Sequence, residues 1–186
     1  PQLKEALFTN FKGDHTPCIL MSAYGNRDFD DTLAQMKDIL EARGFYCIGA
    51  IAPIIPHIYS EKLGADRPNA EDEKVFRQFA VTVKQRLEDG LEESLMIPGN
   101  PKPEPKTMKP VVHYFDETKC KGCQTCVQKC PTSAIDKDTY QIKEELCVGC
   151  LRCERVCPSG ARSSDYEKIQ HYLEDSFCHP KEVRWY

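Results

Sequence analysis

The chain has 186 residues and a net charge of −4, with 29 Asp and Glu residues against 25 Lys and Arg residues. Its mean hydropathy is −0.54, and no apolar stretch approaches the roughly 20 residues that a membrane-spanning helix requires. No basic face suggests a nucleic-acid ligand, and no signal peptide opens the sequence. Composition therefore predicts a cytoplasmic protein that neither inserts into a membrane nor binds nucleic acid. Pro1 is compatible with a removed initiator Met and equally with a chain cut from a longer one.

The first 97 residues alternate between predicted helices and strands, the order typical of an α/β fold. In chain order the predicted elements are a helix over 2–10, a strand over 18–23, a helix over 30–43, a strand over 45–52 and a helix over 70–89. Only two strands are clear, and a two-stranded sheet with exposed edges is marginal on its own. We therefore expect this half to dimerise, to pair with another chain, to pack on the cysteine-rich region that follows or to be a fragment.

Polar residues before two of these helices predict how the helices begin. Asp28 or Asp30 is placed to cap the middle helix. Asn69, with Asp72 three residues later, predicts a capping box at the start of the last helix.

A proline-rich stretch over 98–110 follows, in which five of thirteen residues are proline. This composition favours extended polyproline II conformation over helix or sheet. The stretch is predicted to be a linker that either separates two modules or lies along the surface of one.

Eight of the eleven cysteines occur in two copies of the spacing C-x2-C-x2-C-x3-C-P. The first copy comprises Cys120, Cys123, Cys126 and Cys130, and the second comprises Cys147, Cys150, Cys153 and Cys157. This run is the ligand pattern of proteins with two [4Fe-4S] clusters, in which the fourth cysteine of each run ligates the other cluster. The spacing predicts cluster 1 on Cys120, Cys123, Cys126 and Cys157, and cluster 2 on Cys147, Cys150, Cys153 and Cys130.

The two runs belong to an internal repeat with an offset of 27 residues, which also relates Gly122 to Gly149 and Ala134 to Ala161. Zinc is the alternative ligand, but its ribbons pair two C-x2-C knuckles across a longer loop, which fits this tight run poorly. Disulfides fit less well still, because nothing else in the chain is typical of a secreted scaffold. Cys18 and Cys47 fall in predicted strands, where we expect them to behave as small buried apolar residues.

With its repeat and its cysteine spacing, the stretch over 111–162 resembles the bacterial-type ferredoxins that carry two [4Fe-4S] clusters. Three segments of the first half carry a second resemblance: SAYGNRDFDD over 22–31, GFYCIGA over 44–50 and GADRPNAED over 64–72. These segments resemble the C-terminal half of the flavodoxin-like domain in flavodoxin–ferredoxin fusion proteins. In that family the flavodoxin-like module precedes a two-cluster ferredoxin, the same order as in this chain.

The resemblance implies an α+β chain with four parts. They are a partial flavodoxin-like α/β module over 1–97, the linker over 98–110, a two-cluster ferredoxin domain over 111–163 and a helical tail over 164–186. In the tail, Tyr166, Ile169, Leu173 and Phe177 stand at helical spacing and predict an amphipathic helix that covers the ferredoxin or the first module.

The resemblance also implies where a flavin would lie. In flavodoxins the loop after the fourth strand lies against the flavin ring, so Tyr24, Gly25 and Asn26 are implied as flavin contacts. The glycine- and hydroxyl-rich loop that binds the FMN phosphate is absent from this sequence. FMN binding is therefore expected only if a missing N-terminal half is supplied.

The sequence favours an electron carrier over a stand-alone oxidoreductase. The expected function is transfer of single electrons through two [4Fe-4S] clusters, to or from a partner redox protein or a flavin. One alternative is an FMN-dependent oxidoreductase, or its subunit, in which the clusters feed a flavin. Another is a docking subunit of a larger redox complex. The protein is expected to be cytoplasmic, in an anaerobic or low-oxygen prokaryote.

Overall fold

The computed structural model describes residues 8–104 and 111–186, which form two compact units. Unit 1 contains the described residues before the 105–110 gap together with residues 173–186, and unit 2 contains residues 111–172. The elements are β1 (Thr16–Met21), α1 (Thr32–Glu41), β2 (Phe45–Ala52), α2 (Ala70–Glu88), β3 (Val112–Phe115), α3 (Thr125–Gln128), α4 (Arg152–Arg155), β4 (Arg162–Asp165), α5 (Glu167–Phe177) and β5 (Arg184–Trp185). None of the helices within these ranges is both long and apolar enough to cross a bilayer.

Unit 1 is built on a three-stranded sheet in the order β1-β2-β5. β1 runs parallel to β2 with Cys18 opposite Cys47, and β5 runs antiparallel to β2 with Trp185 opposite Ile51. α1 and β1 share one apolar cluster with β2, whereas α2 and β5 share the other. Because β2 contributes to both clusters, its last six residues are all buried, as expected of a central strand covered on two faces.

The expectation of only two strands was wrong. The third strand, β5, comes from the C-terminal tail and spans only two residues, too few to show the alternation that predicts a strand. β5 pairs with one edge of β2 and leaves β1 as an edge strand. Ile19 and Met21 of β1 are 50% and 60% exposed. Association of this half with another chain or a second copy stays a prediction.

Buried polar side chains hold the C-terminal segment in unit 1. The amide of Asn26 donates to the backbone carbonyls of Phe177, at 2.8 Å, and of His179, at 3.0 Å. Arg67 forms an ion pair with Asp72 and donates to the carbonyl of Lys181 at 2.9 Å. The last fourteen residues are therefore part of the first unit in this structure, and the boundary between the units lies within α5.

The two predicted helix starts had different outcomes. The capping box of Asn69 and Asp72 at α2 is confirmed. At α1 the prediction was wrong, because the N-cap is Asp31, which makes no side-chain capping bond. The carboxylate of Asp28 instead accepts from the guanidinium of Arg184, and that of Asp31 accepts from the backbone N–H of Asn100. Asp28 thus has a partner distant in sequence, whereas the carboxylate of Asp30, the other predicted cap, pairs with Arg27 three residues earlier.

The prolines over 98–110 lie partly outside the described residues. The described part, 98–104, forms no helix or strand, and its Gly99 lies close to Asp31 and Ala34 of the α1 region. The predicted helix over 2–10 likewise lies mostly outside the described residues.

Unit 2 repeats its backbone as well as its sequence. β3 pairs antiparallel with β4, and an isolated bridge joins Ile135 to Ile142. Short helices α3 and α4 stand 27 residues apart, and each follows a residue in the left-handed region, Gln124 with φ 56° or Leu151 with φ 53°. The left-handed turn lets each cysteine run curl back on itself.

We predict that Asp72→Asn lowers the free energy of unfolding of unit 1 by about 3 kcal/mol, because it leaves the Arg67 guanidinium buried without its counter-charge. The measurement is urea unfolding followed by the fluorescence of Trp185, the only tryptophan. Glu71→Gln is the control, since its pair with Lys74 in the same turn is exposed and an exposed pair contributes less than about 1 kcal/mol.

The difference in unfolding free energy between the unmodified protein and Asp72→Asn should depend on pH. The hydrogen bond from Arg67 holds the pKa of Asp72 below its ordinary value of 3.8. The contribution of the Asp72 carboxylate to the free energy of unfolding is therefore complete above pH 3.8. It is lost as the pH falls through the lower pKa that Asp72 has in the folded state. Equal unfolding midpoints for Asp72→Asn and Glu71→Gln at neutral pH would contradict the assignment.

Candidate metal centres

The eight motif cysteines line two separate cavities in unit 2. Cavity 1 is lined by Cys120, Cys123, Cys126 and Cys157. Cavity 2 is lined by Cys130, Cys147, Cys150 and Cys153. Each cavity therefore takes three cysteines from one run and the fourth from the other, the grouping that the crossed ligand pattern requires.

The two cavities are similar in size and in lining. The space at each site, open solvent included, is about 300 Å³ for cavity 1 and about 330 Å³ for cavity 2. Buried Ala161 lines cavity 1, and buried Ala134 and Leu151 line cavity 2, so much of each wall is apolar, although the buried Arg162 also lines cavity 1. Within residues 8–104 and 111–186, no three His, Cys, Asp or Glu side chains group closely enough for a single metal ion. The donor set around each cavity, four thiols and no carboxylate, is that of an iron–sulfur cluster.

Backbone N–H groups point at four of the cysteine sulfurs in a repeated pattern. Gly122 and Gly149 donate to the sulfurs of the first cysteine of each run, at 3.5 and 3.4 Å. Ala134 and Ala161 donate to the sulfurs of the fourth, each at 3.3 Å. Hydrogen bonds to a thiolate favour its charged form and, in a cluster, raise the reduction potential.

Hydroxyl groups add to these contacts. Thr125 donates to the sulfur of Cys123 at 3.4 Å and lowers the pKa of that thiol. Burial by itself would raise the pKa of Cys130 and Cys157, but backbone N–H groups and the hydroxyl two residues later outweigh it, and both are lowered. In Cys153 burial prevails and raises the pKa. Three of the ligand thiols are thus biased toward the thiolate that binds metal.

His113 is a site residue that sequence reasoning missed, since no cluster spacing includes it. Its Nε2 lies 3.5 Å from the sulfur of Cys147, and its Nδ1 lies 2.8 Å from the hydroxyl of Ser164. Burial lowers its pKa and so favours the neutral ring. The sequence feature that could have indicated His113 is the repeat, which makes His113 equivalent to Tyr140, a residue that lines cavity 1.

The implied flavin contacts lie inside unit 1 and not on an open surface. Tyr24 and Asn26 are only 6% and 3% exposed. Asn26 holds the C-terminal segment, and Tyr24 packs edge-on against Phe29. A Cβ added at Gly25 would lie 2.5 Å from the ring of His57, so this backbone is also closely covered. Their role as flavin contacts stays a prediction.

Comparison with known families matches residues 119–161 to the family described as the 4Fe-4S dicluster domain. The matched stretch contains all eight motif cysteines and both cavities' sulfur ligands. This part of the chain is therefore a ferredoxin-like domain that carries 4Fe-4S iron–sulfur clusters. No curated protein matches the chain.

We predict that Cys130→Ala removes the cluster in cavity 2, although Cys130 follows the cavity 1 cysteines in sequence, because its sulfur lines cavity 2. Cys157→Ala should remove the other cluster. Paramagnetic NMR of the cysteine β-protons identifies the surviving centre by residue. Cys178→Ala, at an exposed cysteine outside the motif, is the matched control and should remove neither cluster. Survival of the cavity 2 signals in Cys130→Ala would show an uncrossed arrangement.

Proposed function

We propose that this chain is an electron carrier that passes single electrons through two [4Fe-4S] clusters, to or from a partner redox protein. The observation that carries the proposal is the division of the eight cysteines into two quartets around two apolar cavities. When bound, such clusters supply reversible one-electron chemistry without making or breaking bonds to a substrate. The chain's own residues hold the clusters and set their potentials.

Crossed ligation suits transfer between the two clusters. Each cysteine run lines both cavities, so neighbouring backbone segments hold both centres. Cys123 is the only motif cysteine that is exposed, and it lines cavity 1. This exposure supports cluster 1 as the centre that exchanges electrons with a partner.

The likeness of the first half to a flavodoxin-like module is supported by the parallel β1–β2 pair with α1 and α2 in its two apolar clusters. The residues present do not fit FMN as they stand, because the chain's own side chains bury Tyr24 and Asn26. We therefore favour the carrier over a flavin enzyme.

We predict that anaerobically purified protein contains about eight iron and about eight acid-labile sulfide atoms per chain, since each of two clusters requires four of each. Chemical analysis measures both, and acid release measures flavin in the same sample. Electron paramagnetic resonance of the dithionite-reduced protein should show signals of two [4Fe-4S]⁺ centres. A colourless, zinc-loaded protein from iron-replete anaerobic expression would refute the proposal, and stoichiometric FMN would replace it with the flavin-enzyme alternative.

A further inference from the structure

The two halves of unit 2 differ at one buried position beside the cavities. Ile135 lines cavity 2, and Arg162, which stands 27 residues later at the equivalent place in the repeat, lines cavity 1. Both side chains are buried, each residue being 5% exposed. An apolar side chain beside one cavity is therefore replaced by a cation beside the other.

Arg162 forms no ion pair with a carboxylate of the described residues, although Glu154, whose Oε2 is also buried without a hydrogen-bond partner, acts electrostatically on the same His113 as Arg162 does. The Nη2 of Arg162 donates to the backbone carbonyl of Tyr140 at 2.5 Å, and its guanidinium carbon lies 4.8 Å from the ring centre of Phe115. Its Nε is buried without a hydrogen-bond partner. A buried cation is strongly unfavourable without a counter-charge. The thiolate-bound cluster in cavity 1 is the anion that supplies it.

We propose that Arg162 sets the order in which the clusters are reduced, raising the reduction potential of cluster 1 above that of cluster 2. The inference rests on the proposed function, because it requires both clusters. Reduction adds one negative charge to a cluster, and a cation in a poorly solvated wall stabilises that charge more than a surface cation does. A single electron delivered to the protein then resides on cluster 1, beside the exposed Cys123.

Each cavity is also lined by one exposed cation, Lys121 in cavity 1 and Arg152 in cavity 2, and the remaining contacts do not cancel the asymmetry of the buried position. The N–H donors from Gly122, Gly149, Ala134 and Ala161 are matched between the two halves. The Thr125 hydroxyl on Cys123 acts in the same direction as Arg162, whereas His113 beside Cys147 opposes it. A single 3.5 Å contact with a neutral ring is weaker than a full buried charge. The charge of Arg162 also favours the thiolate of Cys153 in cavity 2, but its side chain lines cavity 1 and not cavity 2, so we expect the larger effect on cluster 1.

The test is a redox titration, followed by electron paramagnetic resonance, of the full chain with both clusters loaded. Arg162→Gln should reduce the ratio of reduced to oxidised cluster 1 at a fixed potential by about tenfold, a midpoint shift of about −59 mV for one electron. Arg162→Lys, which keeps the charge, should retain most of the difference between the clusters. Lys121→Gln is the matched control, because Lys121 also lines cavity 1 but is exposed to solvent. It should shift the midpoint far less.

Paramagnetic NMR of the unmodified, half-reduced protein gives a second test that needs no variant to fold. The β-protons of Cys120, Cys123, Cys126 and Cys157 should show the reduced centre first. Iron and sulfide content is measured on every sample, so loss of a cluster is distinguished from a change of its potential. Two intact clusters with cluster 2 reduced first, or an Arg162→Gln midpoint equal to that of Lys121→Gln, would overturn the inference and leave the electron-carrier proposal standing.

Discussion

Neither run of cysteines lines a complete cavity, and the rest of unit 2 follows from this constraint. A cluster needs four thiolates, and each cavity takes one of its four from the other half of the repeat. With the proposed ligand sets, the two halves must therefore fold against each other before either cluster has its four thiolates. The equivalent left-handed residues Gln124 and Leu151 begin equivalent short helices, which carry the inner cysteines. The backbone symmetry of the unit is thus the symmetry of its ligand sets.

Electrostatics explains both what the halves share and where they differ. Apolar walls make a sulfur-bound charge costly, and the paired N–H donors at the first and fourth cysteines offset that cost equally in both halves. A neutral hydrogen bond contributes about 1 kcal/mol, whereas a buried charge acts more strongly and over a longer range. The exchange of Ile135 for Arg162 therefore outweighs the small differences in hydrogen bonding. It gives two nearly equivalent sites unequal affinity for an electron.

Unit 1 is completed by a distant part of the chain. Unit 2 is inserted in the sequence between α2 and the C-terminal segment that supplies β5. Asn26 and Arg67 bind the backbone of that segment, and Arg184 pairs with Asp28. These contacts use polar groups that a ligand-binding loop would offer to a ligand. The same contacts explain why Tyr24 and Asn26 are buried and why the short sheet has a third strand.

The sequence by itself determined the features that depend on local spacing. The cysteine spacing and the 27-residue repeat predicted an iron–sulfur domain, and the family match at 119–161 supports it. β2 was predicted with the observed bounds and α2 to within one residue, because a long apolar strand and a capped amphipathic helix carry strong local signals.

Only the tertiary structure decided the features that depend on contacts distant in sequence. The two residues of β5 are too few to show a periodicity, and Asp28, one of the two predicted caps of α1, pairs instead with the distant Arg184. No sequence motif marks His113 or Arg162, because each becomes important only through the cavity that it lines after folding. Ligand spacing is encoded along the chain, whereas burial and the pairing of charges arise only when remote segments pack together.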